Sequence, residues 1–229
     1  MAARVGLIVP SSNTVAEVDF YRGLPATATL HTARMHLDEV TPDEESIMLD
    51  EHLPGAIRDL ATVRPDVVVF ACTSAGALRG NASERDLMAS ITERTGASTI
   101  SVAAAVRRAI ARRGARRVGV ATPYVEALNA KIRKSLEQEG LEVVGVRGLG
   151  ITANAEIGAV EPDRIAKFVS GEFSDADVEL LFASCTNFRA LEARKQIEHD
   201  LGVPVVTSNH AALEAVADEL PSVPAASTA

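Results

Sequence analysis

The sequence predicts an α/β fold made of two similar lobes, each built around a parallel four-stranded sheet. Short runs of β-branched residues alternate with longer amphipathic segments, which is the pattern of βαβ units. Several of these runs are apolar throughout, as in parallel strands that are buried on both faces. A third observation is an internal repeat, because two separate motifs recur at the same spacing of 113 residues. We therefore expect two related α/β units in one chain.

The predicted strands are spaced so that a helix fits between each pair. Thr14 and Thr41 are predicted to cap two of these helices, because each precedes a Glu by three residues. Gly114 and Gly140 are predicted to end two others, since glycine readily adopts the left-handed conformation at a helix C-terminus. The predicted strands are residues 5–9, 29–33, 66–70, 98–100, 117–121, 142–146, 179–183 and 203–206.

The repeat also defines the expected domains. Residues 4–10 resemble residues 117–123, and residues 70–73 resemble residues 183–186. The two halves then form pseudo-symmetric, Rossmann-like lobes, and we expect the active site in the cleft between them.

The expected lobe boundaries follow from this repeat. The first lobe spans residues 1–110 and the second spans residues 111–205, while residues 206–220 pack back on the first lobe. Residues 221–229 are rich in Pro, Ala, Ser and Thr, and we expect this tail to be disordered.

Composition narrows the expected partners. The net charge of −8 and the aromatic content of 3% argue against nucleic acid, which needs positive charge and aromatic stacking. The sequence has no apolar run of about 18 residues that would span a membrane, and the N-terminus does not resemble a signal peptide. We expect a cytoplasmic protein whose two cysteines are free thiols.

The candidate catalytic residues are the two cysteines, Cys72 and Cys185. Each directly follows a predicted strand and precedes a threonine. Because the carboxyl ends of parallel strands form the ligand crevice, the two thiols are expected on opposite sides of one cleft. Hydrogen-bond donors at Thr73, Ser74 and Asn187 are expected to lower the pKa of the thiols. A lone cysteine is commonly a small buried hydrophobe, but a matched pair favours catalysis.

Two loops at equivalent strand ends are candidates for anion binding. Residues 10–14 offer backbone N–H groups, hydroxyls and the amide of Asn13, although such a loop also suits ordinary helix capping. In the second half, Tyr124 either donates its hydroxyl to a substrate carboxylate or simply packs in the loop. The sequence contains no metal-ligand spacing and no Gly-rich phosphate loop, so neither a metal nor another cofactor is expected.

Together these motifs resemble the aspartate/glutamate racemase superfamily, and most closely its maleate cis-trans isomerase and arylmalonate decarboxylase branch. The resemblance covers about residues 4–216 and lies in residues 9–14, 71–74, 122–124 and 184–187. It implies catalysis by Cys72 and Cys185 and binding of substrate carboxylates by Asn13, Tyr124 and Asn154. The residues expected at the substrate are Ser11, Asn13, Thr73, Ser74, Tyr124, Asn154, Thr186 and Asn187.

The resemblance implies a cofactor-independent isomerase of a small mono- or dicarboxylate, and it leaves the reaction open. A maleate isomerase uses one thiolate as a nucleophile, whereas a racemase uses two thiols as acid and base. The Pro-Ser-Ser-Asn loop and Asn154 favour the first, but threonine after both cysteines is typical of amino-acid racemases. Proteins of ectoine degradation are also similar.

Two further alternatives stay open. A decarboxylase of this branch ranks third, since it needs only one of the cysteines. An acid-binding protein without turnover is the alternative from a different class. We expect the protein to form a homo-oligomer and to have no nucleic-acid or membrane partner.

Overall fold

The computed structural model describes residues 2–220, which form two parallel four-stranded sheets. The strand order is β2-β1-β3-β4 in the first sheet and β6-β5-β7-β8 in the second, so the two sheets share one topology. The strands are β1 (Ala3–Pro10), β2 (Ala28–Met35), β3 (Val67–Phe70), β4 (Ser98–Ser101), β5 (Arg117–Thr122), β6 (Glu142–Gly148), β7 (Leu180–Ala183) and β8 (Val205–Thr207). The predicted fold class is confirmed, and each predicted strand overlaps an observed one.

Helices connect the strands. A π-helical turn at Met48–His52 joins α2 to α3. Within residues 2–220, none of the helices has the length and apolar character needed to cross a membrane. The helices are α1 (Ala16–Gly23), α2 (Pro42–Ile47), α3 (Leu53–Ala61), α4 (Thr73–Leu78), α5 (Asn81–Thr95), α6 (Val102–Arg112), α7 (Glu126–Glu137), α8 (Asn154–Gly158), α9 (Pro162–Phe173), α10 (Ala190–Leu201) and α11 (Ser208–Glu219).

The packing of helices on the central strands explains why parts of the sequence repeat. Every residue of β3 and of β7 is buried, as expected for strands covered by helices on both faces. The repeated glycines Gly6 and Gly119 lie on β1 and β5, and a Cβ at either position would come within 2.8 Å of the side chain of Leu60 or Phe173. Glycine therefore allows α3 and α9 to pack closely on the two sheets.

The start of α1 differs from the prediction. Thr14 does not cap this helix; instead the Oδ1 atom of Asn13 accepts hydrogen bonds from the backbone N–H groups of Val15 and Ala16 at 3.0 and 2.9 Å. Asn and Thr are both good capping residues. Asn13 is the one whose side chain also donates a hydrogen bond to Thr186, in the second half of the chain. The predicted Thr14 cap is therefore wrong.

The other predicted helix boundaries hold. Thr41 accepts a hydrogen bond from the N–H of Glu44 at the start of α2. Gly114 and Gly140 have φ angles of +69° and +80°, as helix C-termini that end on glycine require.

The C-terminal helix connects the two halves of the chain. Helix α11 follows β8 of the second sheet but contacts α6 and β4 of the first half. Arg113 pairs with Glu214 at 2.8 Å across this contact. The lobe boundaries, and with them the packing of residues 206–220 on the first lobe, stay predictions. The predicted disordered tail, residues 221–229, lies outside the described residues.

Candidate active site

The thiols of Cys72 and Cys185 line one buried cavity between the two sheets. Cys72 follows β3 and Cys185 follows β7, so the topology brings each thiol to the carboxyl end of a central strand. The two residues are 5% and 6% exposed. The cavity is lined by Pro10, Asn13, Leu37, Val40, Glu45, Cys72, Thr73, Ser74, Tyr124, Asn154, Cys185, Thr186 and Asn187.

The cavity contains all the predicted substrate-binding residues except Ser11. The Oγ atom of Ser11 accepts a hydrogen bond from the backbone N–H of Leu37 at 3.1 Å, so it fixes the loop after β2 instead of lining the cavity. Its neighbour Ser12 accepts a hydrogen bond from the amide of Asn154 at 2.8 Å. The contacts of these residues with a substrate stay predictions.

The two cysteines differ in backbone conformation although they occupy equivalent strand ends. Cys72 is extended, with φ −139° and ψ 106°, and α4 begins directly after it. Cys185 has a φ of +101°, in the region that favours glycine. Its N–H donates to the Oγ of Ser208 at 3.0 Å, and its sulfur accepts from the N–H of Asn187 at 3.3 Å. The second cysteine is thus held by hydrogen bonds in a strained turn.

The structure contradicts the expected low pKa of the thiols. Burial raises the pKa of Cys72 well above its ordinary value, and the nearby carboxyl of Glu45 raises it further, while the N–H of Ala75 lowers it. Burial also raises the pKa of Cys185 to about 11, although the Tyr124 hydroxyl acts in the opposite direction. Hydrogen bonds from Ser74 and from the N–H of Asn187 lower the thiol pKa values, as predicted. Burial raises these pKa values by more, because desolvation disfavours the charged thiolate. Both thiols therefore hold their protons in the resting site.

Asparagine side chains connect the two halves of the site. The Nδ2 atom of Asn187 donates to the backbone oxygen and to the Oδ1 atom of Asn154, at 2.7 and 3.0 Å. The Oδ1 atom of Asn187 accepts from the N–H of Thr14 at 2.9 Å. These bonds fix the amide that lies next to Cys185.

A second connection involves Asn13. Its Nδ2 atom donates to the Oγ1 of Thr186 at 3.0 Å, and that hydroxyl donates to the backbone oxygen of Ala71 at 3.0 Å. Since Oδ1 of Asn13 caps α1, the amide orientation is fixed. An amide nitrogen carries two hydrogens, so one donor of Asn13 remains for a ligand.

The closed cavity has a volume of about 10 Å³, which is about the space that one water needs. A ligand larger than one water therefore requires the walls to move apart. Leu37 and Val40, in the segment between β2 and α2, form one wall. Within residues 2–220, no three His, Cys, Asp or Glu side chains are grouped as a metal site requires.

Glu45 is the functional candidate that the sequence reasoning missed. It lies on α2, is 0% exposed, and accepts a hydrogen bond from the Oγ of Ser74. Burial raises its pKa from 4.5 to about 8. Leu37 and Val40 were also missed, because apolar residues give no chemical signal in the sequence.

The fold and the cavity define an α/β protein with two parallel sheets and a buried cavity that is lined by one cysteine from each half of the chain. The chain belongs to the arylmalonate decarboxylase family, whose sequence profile matches residues 5–228. It is 31% identical to the maleate isomerase of Geobacillus stearothermophilus over 219 residues, which cover 90% of this chain and 86% of that protein. It is 30% identical to the arylmalonate decarboxylase of Bordetella bronchiseptica over 211 residues, with 90% and 86% covered.

A solved structure shows the same fold. A cysteine-to-alanine variant of the maleate isomerase Iso from Pseudomonas putida S16, crystallised with maleate, superimposes with a TM-score of 0.87 at 28% identity, covering 96% of this chain and 94% of that one. The comparisons confirm the predicted branch of the superfamily and the predicted isomerase class.

Proposed function

We propose that this protein is a maleate cis-trans isomerase that converts maleate to fumarate without a cofactor. The observation that carries the proposal is that Cys72 and Cys185 line the same cavity. The relationship to maleate isomerases supports the substrate. Rotation about the carbon–carbon double bond requires that it first become a single bond. This conversion needs a nucleophile and a proton donor that reach the same ligand, and the two thiols supply both.

In the proposed reaction Cys72 is the nucleophile. Cys72 first releases its proton to solvent. Its thiolate then adds to one olefinic carbon, and the π electron pair forms a C–H bond at the other carbon with the proton of Cys185, which becomes a thiolate. The former double bond is now single and rotates. The Cys185 thiolate then removes a proton from the carbon that it protonated, the double bond re-forms as the carbon–sulfur bond breaks, and fumarate leaves. Cys72 leaves as a thiolate and takes up a proton from solvent, which restores the resting site. The N–H of Ala75, which lowers the pKa of Cys72, favours this thiolate.

The remaining polar residues of the cavity hold the two carboxylates in this proposal. Asn13 comes from the end of β1 and Tyr124 from the end of β5, so they approach the ligand from opposite halves. Asn154 is fixed by Asn187 and adds a second amide. Thr73, Ser74 and Thr186 line the cavity beside the two thiols. Their hydroxyls donate to Ser208, Glu45 and Ala71 in the free protein, so each must rotate to donate to a substrate carboxylate.

Mass spectrometry tests the mechanism together with an NMR assay for fumarate. We expect maleate to be converted by the wild type, and an adduct with the mass of one added maleate to form on Cys72 in the Cys185→Ala variant. Cys72→Ala is the matched control and should form no such adduct. Exchange of an amino-acid α-hydrogen with deuterated solvent, without any reaction of maleate, would instead identify a racemase. Release of carbon dioxide from an arylmalonate would identify a decarboxylase.

We also retain the predictions of a cytoplasmic location, a homo-oligomeric state and the absence of nucleic-acid and membrane partners. Size-exclusion chromatography with light scattering measures the oligomeric state directly.

A further inference from the structure

Glu45 is a buried carboxyl group in the wall of the cavity. The Oγ of Ser74 donates a hydrogen bond to its Oε1 atom. Its Oε2 atom is buried and has no hydrogen-bond partner among the described residues. Glu45 lines the same cavity as Cys72, Cys185 and Tyr124, and its negative charge would raise the pKa of all three.

No positive group faces Glu45 in this cavity. The residues that line it within the described chain include no Lys, Arg or His. On the elements packed against α2, Asp50 and Arg79 pair with each other at the surface at 2.6 Å, and Glu51 is exposed. The ring of His52 contacts that of His36, with centroids 5.3 Å apart. An ionised Glu45 would therefore stand uncompensated beside a dianionic substrate.

We propose that Glu45 is a specificity-determining residue that binds one substrate carboxylate as a neutral acid, through a hydrogen on its unpartnered Oε2 atom. This inference rests on the proposed function, since it assumes a dicarboxylate ligand. Ser74 orients the group by donating to Oε1, which leaves Oε2 to carry the proton. A protonated carboxyl group has one O–H donor, and donation to a carboxylate is among the stronger hydrogen bonds.

The inference predicts a specific dependence on pH. Burial raises the pKa of Glu45 to about 8, so the neutral acid is present at pH 7. Above about pH 8 the free protein loses this proton, and the ligand must then bind together with one proton. The thiols and the Tyr124 hydroxyl stay neutral in this range, because burial raises the pKa of each of them. Affinity should therefore fall by about tenfold per pH unit above pH 8.

Isothermal titration calorimetry with succinate tests the inference. Succinate has two carboxylates but no double bond, so binding is measured without turnover. In the wild type we expect uptake of about one proton per succinate at pH 9, measured in two buffers of different ionisation enthalpy. Glu45→Gln should show no uptake and a constant affinity from pH 7 to 9. Glu45→Ala should bind about 10- to 150-fold more weakly at pH 7.

The neighbouring variant Glu44→Gln is the matched control, because Glu44 is on the same helix but exposed. This variant should retain proton uptake.

The inference is overturned if wild type binds succinate without proton uptake, or does not bind it at any pH. It is also overturned if Glu45→Gln binds succinate more tightly at pH 7. Preference for aspartate over succinate that Glu45→Gln abolishes would show an ionised Glu45 paired with an ammonium group, and would overturn it too. Proton uptake with succinate in a protein that does not isomerise maleate would uphold the inference and refute only the proposed function.

Discussion

The backbone of Cys185 provides a test of strain at the site. Cys185 has a φ of +101°, whereas Cys72 is extended with a φ of −139°. Glycine adopts positive φ without a steric penalty, but alanine does not. We therefore expect Cys185→Gly to be more stable than Cys185→Ala, and Cys72→Gly to be less stable than Cys72→Ala.

The magnitude follows from two opposing effects. A residue other than glycine in a sparsely populated backbone region costs about 1–3 kcal/mol, and glycine at position 185 removes this cost. Glycine also makes the unfolded chain more flexible, which costs about 0.5–1 kcal/mol relative to alanine. The net difference at Cys185 should favour glycine by about 0–2.5 kcal/mol. At Cys72 only the second effect applies, so alanine should be favoured by about 0.5–1 kcal/mol.

Urea denaturation of the four variants measures these differences as free energies of unfolding. Comparing glycine with alanine at one position cancels the loss of the thiol and of its buried surface, because both variants lack it. All four variants should fail to isomerise maleate. Differences of the same sign at both positions would refute the strain argument. The opposite signs would show that the chain retains a cysteine at position 185 despite its conformational cost, as strained functional residues are retained elsewhere.

Three further predictions concern other parts of the site. In Gly158→Ala the new Cβ would lie 3.1 Å from Oδ1 of Asn187 and displace this amide. The value of kcat/KM for maleate should therefore fall at least about tenfold. Gly171→Ala is the control and should leave kcat/KM unchanged, because its Cβ meets nothing within 4 Å. Asn13→Ala removes a donor to a buried carboxylate and should lower kcat/KM by about 10- to 150-fold; an unchanged value would remove Asn13 from the site. The pKa of Glu45 rises from 4.5 unfolded to about 8 folded, so the native state binds more protons between these values. The free energy of unfolding should therefore fall as pH rises from about 4.5 to 8, and Glu45→Gln should reduce that slope in pH-dependent urea denaturation.

The sequence contains enough information for the sheets and for the two cysteines. Buried parallel strands need continuous apolar runs, and close packing of a helix on a strand needs glycine, so Gly6 and Gly119 repeat together with the strands around them. The cysteines repeat at the same spacing. Local patterns did not separate Asn13 from Thr14 as the cap of α1, because both residue types cap helices. The contact of Asn13 with Thr186, which is far away in the sequence, decides between them.

Glu45 shows why the electrostatics of the site were not predictable. In the sequence it ends an acidic run, Asp43-Glu44-Glu45, and acidic residues are common in the first turn of a helix because they favour its dipole. Only the packing of α2 on α4 buries the third of these residues and leaves the first two exposed.

The same burial raises the pKa of Cys72, Cys185, Tyr124 and Glu45 together. These four groups are therefore mainly neutral at pH 7, and each keeps a proton. A dianion entering the cavity meets hydroxyl, amide and carboxyl donors and no fixed negative charge. Low thiol pKa values would have placed thiolates beside the substrate carboxylates, where like charges repel. High pKa values avoid this repulsion in the ground state. Loss of the proton from Cys72 is then the step that costs free energy, because the thiolate forms beside a dianion.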